Sequence, residues 1–233
     1  MGYLGDSLLT AFELILGLDR EVRIAVWTSL YTSSCAIVIA ALFGVPAGLW
    51  LGLKRFHGRQ LLVALLNTMM ALPTVVVGLV LFGLFSRQGP LGPLGLLFTP
   101  LAMIAGQTVL AAPIVANLVL AAVTGADSRI INTALTLGAS RLQAAIKLLS
   151  EVRFGVMAAV IAGFGRVIAE VGVAMMLGGN ILHYTRNIPT AIALETSKGE
   201  FAQGIALGMV LLIMAFLLNG LLQVVQGKGR PTA

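Results

Sequence analysis

Arg166 and Glu170 stand four residues apart inside Phe154 to about Met176, a stretch with no other Asp, Glu, Lys or Arg. On a helix this spacing puts both side chains on one face, where opposite charges attract. Burying either charge alone in hydrocarbon would cost at least about 2.5 kcal/mol, so the pair belongs against protein or water. Two uses fit these residues. One is a cation that guides an anion along a path; the other is a mutually neutralised pair that fixes helix packing. Glu170 repels any dianion that Arg166 attracts, so the first use requires the two to separate.

The other residues with chemical potential are sparse. His57 and His183 fall in different connections with no second ligand at metal spacing, so a metal site is not expected. Cys35 is the one cysteine and lies in an apolar run, which leaves no disulfide framework and no cysteine metal site and makes it a small apolar filler. The phosphate-loop pattern Gly-x-x-x-x-Gly-Lys-Ser/Thr is absent, so the chain is not expected to hydrolyse ATP. No catalytic residue and no cofactor is expected. Leu177 to Glu200 is rich in Gly, Asn and Thr, and offers hydroxyl and amide donors suited to an oxyanion or, equally, to an ordinary polar loop.

The elements that carry these residues are set by composition. Of the 233 residues 58% are hydrophobic and 10% charged, against about half and about a quarter in soluble domains. Ile24 to Leu53, Leu61 to Ser86, Gln88 to Ala126 and Phe201 to Gly227 contain no charged residue. About 20 apolar residues cross a bilayer core of roughly 30 Å. With Phe154 to Met176 these runs predict five transmembrane helices in one all-α membrane domain, residues 24–227. Residues 1–23 carry Asp6, Glu13, Asp19, Arg20, Glu21 and Arg23 around short apolar stretches. They predict a short interfacial helix rather than a cleaved signal peptide.

Gly44, Gly48 and Gly52 recur every four residues, as do Gly204 and Gly208, and predict close helix packing. Pro46, Pro73 and Pro113 lie in the apolar spans, where each predicts a bend.

The net charge of +6 does not point to nucleic acid, because the basic residues sit at the ends of apolar spans. With the N-terminus outside, nine basic residues fall on the cytoplasmic side: Lys54, Arg55, Arg59, Arg129, Arg141, Lys147, Arg153, Lys228 and Arg230. Five fall outside: Arg20, Arg23, Arg87, Arg186 and Lys198. Lys and Arg favour the cytoplasmic side of short loops, so this orientation is expected, with the C-terminus inside. Residues 125–153 then form the longest cytoplasmic connection, and 177–200 the longest external one.

The cytoplasmic connection, from Asp127 to Ser150, predicts two short helices. Asp127 or Ser128 caps the first, Gly138 ends it in a left-handed conformation, and Ser140 caps the second. Leu142, Ala145, Ile146 and Leu149 repeat at helical spacing, with Arg141, Gln143 and Lys147 elsewhere around the helix. By periodicity alone such a helix lies on lipid headgroups as readily as on a partner.

Thr133-Ala134-x-x-x-Gly138-Ala139-Ser140 resembles the EAA loop of ABC importer permeases, whose pattern is Glu-Ala-Ala, three residues, Gly, nine residues, Ile-x-Leu-Pro. The pattern's Glu falls here on Asn132, its Ile on Leu148, and its Leu-Pro on Ser150-Glu151. Leu62 to Pro73, Phe164 to Asn180 and Thr190 to Phe201 look like the tungstate-specific branch of oxyanion importer permeases. The resemblance runs nearly the length of the chain.

That resemblance implies a type I ABC importer permease fold in the cytoplasmic (inner) membrane. It implies that Ala134, Leu137, Gly138, Ala139, Ser140, Leu142, Ala145 and Ile146 form a coupling surface for a separate ABC ATPase subunit. It places Asn180, Thr185, Thr190, Thr196 and Ser197 near an external gate, beneath an extracytoplasmic oxyanion-binding protein. A second copy of the chain completes the pore in the lipid bilayer. Tungstate is the implied anion, with molybdate or sulfate as the alternatives within the family. The rival from another class is a self-sufficient secondary transporter, against which the chain shows no internal repeat.

Overall fold

The computed structural model describes residue 17, residues 20–127 and residues 129–227. Among them the regular structure is helical. Its elements are α1 Arg20–Leu53, α2 Arg59–Ala71, α3 Thr74–Phe85, a 3-10 turn Gly92–Leu94, α4 Pro100–Thr124, α5 Arg129–Thr136, α6 Arg141–Glu151, α7 Arg153–Ile168, α8 Gly172–Gly178, α9 Ile188–Lys198 and α10 Phe201–Gly227. The interfacial helix expected before Ile24 falls mostly outside the described residues. Its last four, Arg20 to Arg23, belong to the first turn of α1.

Three helices, α1, α4 and α10, are long and apolar enough to cross a membrane, and two bent pairs bring the number of candidate spans to as many as five. The pairs are α2 with α3, bent by 97°, and α7 with α8, bent by 61°. The first bend sits at Pro73, which follows an extended Leu72. Proline disfavours helical backbone in the residue before it, which ends α2 there. Pro46 and Pro113, by contrast, stay inside continuous helices. Apart from the 3-10 turn, the uncharged run from Gln88 does not become α-helix until Pro100, because Gly89, Pro90, Gly92, Pro93 and Gly95 interrupt it. Thr99 caps α4, its hydroxyl accepting from Ala102 N at 3.4 Å.

The core is organised around α4. The most apolar window of α4 is 61% buried, against 33% for α1 and 17% for α10, which makes α10 peripheral among the described residues. Gly44, Gly48 and Gly52 let α1 lie on α4: a Cβ added at Gly48 would come within 2.4 Å of Ala116 O, and one at Gly52 within 2.4 Å of Val123 Cγ1. The small-residue spacing therefore reads as predicted on α1. On α10, Gly204 lies near Thr196, while a Cβ at Gly208 would meet open space among the described residues. Val115, Val119, Val167, Val173 and Leu177 complete the main core. A second cluster of Ala25, Ile188, Ala191 and Leu207 ties α1 to α9 and α10.

Candidate functional site

The connection from Asp127 to Ser150 folds as its cap residues dictate. Arg129 N donates to Asp127 Oδ1 at 2.9 Å, which starts α5. Gly138 ends that helix at φ 86°, with Gly138 N donating to Leu135 O and Ala139 N to Ala134 O, each at 3.0 Å. This paired closure needs a left-handed residue, and glycine adopts that conformation without a Cβ penalty. Ser140 opens α6 with a capping box: Gln143 N donates to Ser140 Oγ at 3.3 Å, and Ser140 N to Gln143 Oε1 at 2.7 Å.

The two short helices carry their apolar residues in an uneven way. α6 rests on the body through Ala144 and Leu148, both 2% exposed. Leu137, Leu142 and Ile146 are 82%, 71% and 58% exposed. Ala134, Ala139 and Ala145 are partly exposed, and Gly138 and Ser140 lie open. The face expected to be apolar is therefore not the one that α6 uses against its own chain. Exposed large apolar side chains grouped on one loop mark a surface for a partner or a membrane.

The ion pair forms, and its setting differs from a continuous helix. α7 ends at Ile168 and α8 starts at Gly172, so Glu170 lies in the break. Arg166 Nη1 donates to Glu170 Oε2 at 2.7 Å. The other carboxylate oxygen, Oε1, accepts from Val173 N at 3.3 Å. Glu170 is buried at 3%, while the Arg166 side chain is 45% exposed. Gln107 on α4 supports the same break, donating from Nε2 to Val167 O at 3.3 Å while fully buried. Sequence reasoning missed Gln107; the signal was an amide, one of two with Asn117, in an otherwise largely apolar span.

The segment from Leu177 to Glu200 uses much of its polarity on itself. Thr185 and Thr190 are fully buried. Thr185 Oγ1 accepts from Ile181 N and donates to Gly178 O. Thr190 and Asn187 form a capping box at the start of α9. Asn180 is partly exposed at φ 50°, and Thr196 and Ser197 are exposed near the end of α9. Ser29 Oγ of α1 accepts from Ile188 N at 2.9 Å, a tie between distant elements that no local pattern announced. Among the described residues no group of three His, Cys, Asp or Glu could hold a metal ion.

Residues 44–228 match the model of the family described as binding-protein-dependent transport system inner membrane component. The chain is 42% identical over 219 residues to the tungstate uptake system permease protein TupB of Campylobacter jejuni, covering 94% of this chain and 92% of that one. It is 37% identical over 226 residues to the protein of the same name from Peptoclostridium acidaminophilum, covering 97% and 99%. Its fold matches a chain of an inward-facing MetNI methionine ABC transporter with a TM-score of 0.75, at 18% identity and over 91% of this chain and 97% of that one. A family match over most of the chain, near-complete coverage of the relatives and a shared fold agree: the chain belongs to the inner-membrane components of binding-protein-dependent transport systems.

Proposed function

We propose that this chain is the membrane-spanning permease subunit of an ATP-driven tungstate importer. The observation that carries the proposal is its 42% identity to a tungstate uptake permease over 94% of its length. Each bent helix pair counts as one span, giving five spans in a type I importer fold. The N-terminus lies outside and the C-terminus lies in the cytoplasm. Residues 24–227 form the transmembrane domain.

In this reading the loop from Ala134 to Ile146 docks on a separate ATPase. Supporting it, Leu137, Leu142 and Ile146 are exposed on a rigidly capped pair of helices. Burying such side chains stabilises a contact by roughly 1.5–3 kcal/mol each. Two copies enclose the pathway, and an extracytoplasmic binding protein delivers the anion above Asn180, Thr185, Thr190, Thr196 and Ser197. ATP binding closes the ATPases, draws the coupling helices together and turns the pore outward. Arg166 and Glu170 act as a neutralising pair that holds the α7–α8 break.

The test is uptake by vesicles holding the chain, its ATPase and its binding protein. Tungstate uptake should need ATP and all three components, and excess molybdate or sulfate should compete poorly. Uptake by the chain alone would identify a secondary transporter instead.

A further inference from the structure

Asn67 on α2 and Asn117 on α4 join across the bundle. Asn117 Nδ2 donates to Asn67 Oδ1 at 2.7 Å and lies 3.0 Å from Met70 Sδ. Both residues lie in long uncharged stretches. Asn117 precedes the end of α4 at Thr124 by about 10 Å at a rise of 1.5 Å per residue. The pair is nevertheless not enclosed: Asn67 is exposed on the protomer surface and Asn117 partly so.

An open amide pair within a span is strongly disfavoured against lipid tails, which offer no hydrogen-bond partner. This side of the α2–α3 elbow therefore meets water or protein. Asn67 Nδ2 has no acceptor among the described residues, so its N–H donors are unused. The far arm of the elbow abuts the ion pair, because Thr74 Oγ1 and Glu170 Oε1 lie 3.0 and 3.3 Å from where a Gly172 Cβ would stand.

We propose that Asn67 is an oxyanion-passing residue on the translocation path, its amide N–H groups replacing water on a tetrahedral dianion, with Asn117 as the positioning residue that holds that amide. The proposal rests on the importer reading above. Neutral donors suit the task, since a path residue must bind well enough to admit the ion and weakly enough to release it. A full cation at this depth would hold a dianion; Arg166 is restrained by Glu170.

The experiment uses the complete transporter, with Cys35→Ala as background. Asn67→Leu should lower tungstate uptake per assembled transporter about tenfold or more, the loss expected for one hydrogen bond to a charged group. Asn67→Gln, which keeps the donor, should recover part of it. Asn67→Cys should react with an anionic methanethiosulfonate, and tungstate should slow that reaction. Leu42→Cys, in the exposed apolar surface of α1, should not react. Asn117→Ala should raise the tungstate concentration needed for half-maximal uptake more than it lowers the maximal rate.

Wild-type uptake by Asn67→Leu overturns the proposal, as does Asn67→Cys that is unreactive or unprotected by tungstate. Loss of assembly in the Leu, Gln and Cys forms alike assigns the amides to packing and overturns it too. Failure of the importer reading shows up separately, as no tungstate uptake by the unaltered chain in the same vesicles.

Discussion

Glu170 and Arg166 share one ion pair but not one environment, and this decides how each should respond to substitution. The carboxylate is 3% exposed and the guanidinium side chain 45% exposed. Arg166→Met strands a buried carboxylate; removing one partner of a fully buried pair costs about 3–5 kcal/mol, and the half-exposed guanidinium puts the loss here below that range. Glu170→Gln leaves a cation that still reaches the surface, and its amide oxygen still accepts from Val173 N, so the smaller loss is expected there. In a double-mutant cycle read on membrane abundance and tungstate uptake, Arg166→Met should fall furthest, Glu170→Gln less, and the double variant should regain part of the loss. Abolished uptake at full abundance for Arg166→Met, with no rescue by the second change, would make the arginine a pathway residue. The pairing was legible in the four-residue spacing. The helix break was not, because that spacing fits an unbroken helix equally well and the support comes from Gln107, sixty residues away in the chain.

Glycine plays two different parts in the elements, and each gives a prediction. Gly48 is needed for space. A side chain there would press on Ala116 O, and overpacking of this kind costs about 1–3 kcal/mol, so Gly48→Val should reduce membrane abundance with little specific effect on the uptake that remains. Gly138 is needed for conformation. It stands at φ 86° with open space around it, so Gly138→Val meets no clash with neighbours but strains the α5–α6 elbow by about 1–3 kcal/mol. The expected outcome is normal abundance, continued ATP hydrolysis and reduced uptake; normal uptake would show that the elbow is dispensable. Both glycines could be picked out from the sequence, Gly48 by its spacing and Gly138 by its place between two capped segments. The seating of α6 could not be. Ala144 and Leu148 bury while Leu142 and Ile146 stay out, and a helix with apolar residues on more than one side does not declare which of them its own chain will cover.

The whole chain's orientation is the remaining expectation, and it follows from charge rather than shape. If the chain crosses five times, the nine-to-five division of basic residues favours a cytoplasmic α5 and α6, and with them the exposed Leu137, Leu142 and Ile146. Counting each bent pair as one span would put the Pro73 elbow and the α7–α8 break between the two membrane faces, where irregular backbone survives only against protein or a water-filled cavity. The proposed path between two copies would meet that requirement, and composition, which registers the length of an apolar run and not its backbone, gave no sign of the two bends. Ser140 and Gln143 are exposed, so cysteines introduced there in a Cys35→Ala background should react with a membrane-impermeant maleimide in inside-out vesicles and stay unreactive in intact cells. The ATPase subunit, added to the vesicles, should slow the labelling of Gln143→Cys, which shares α6 with Leu142 and Ile146. Labelling from outside intact cells would invert the topology and remove the docking surface from the side where ATP is found.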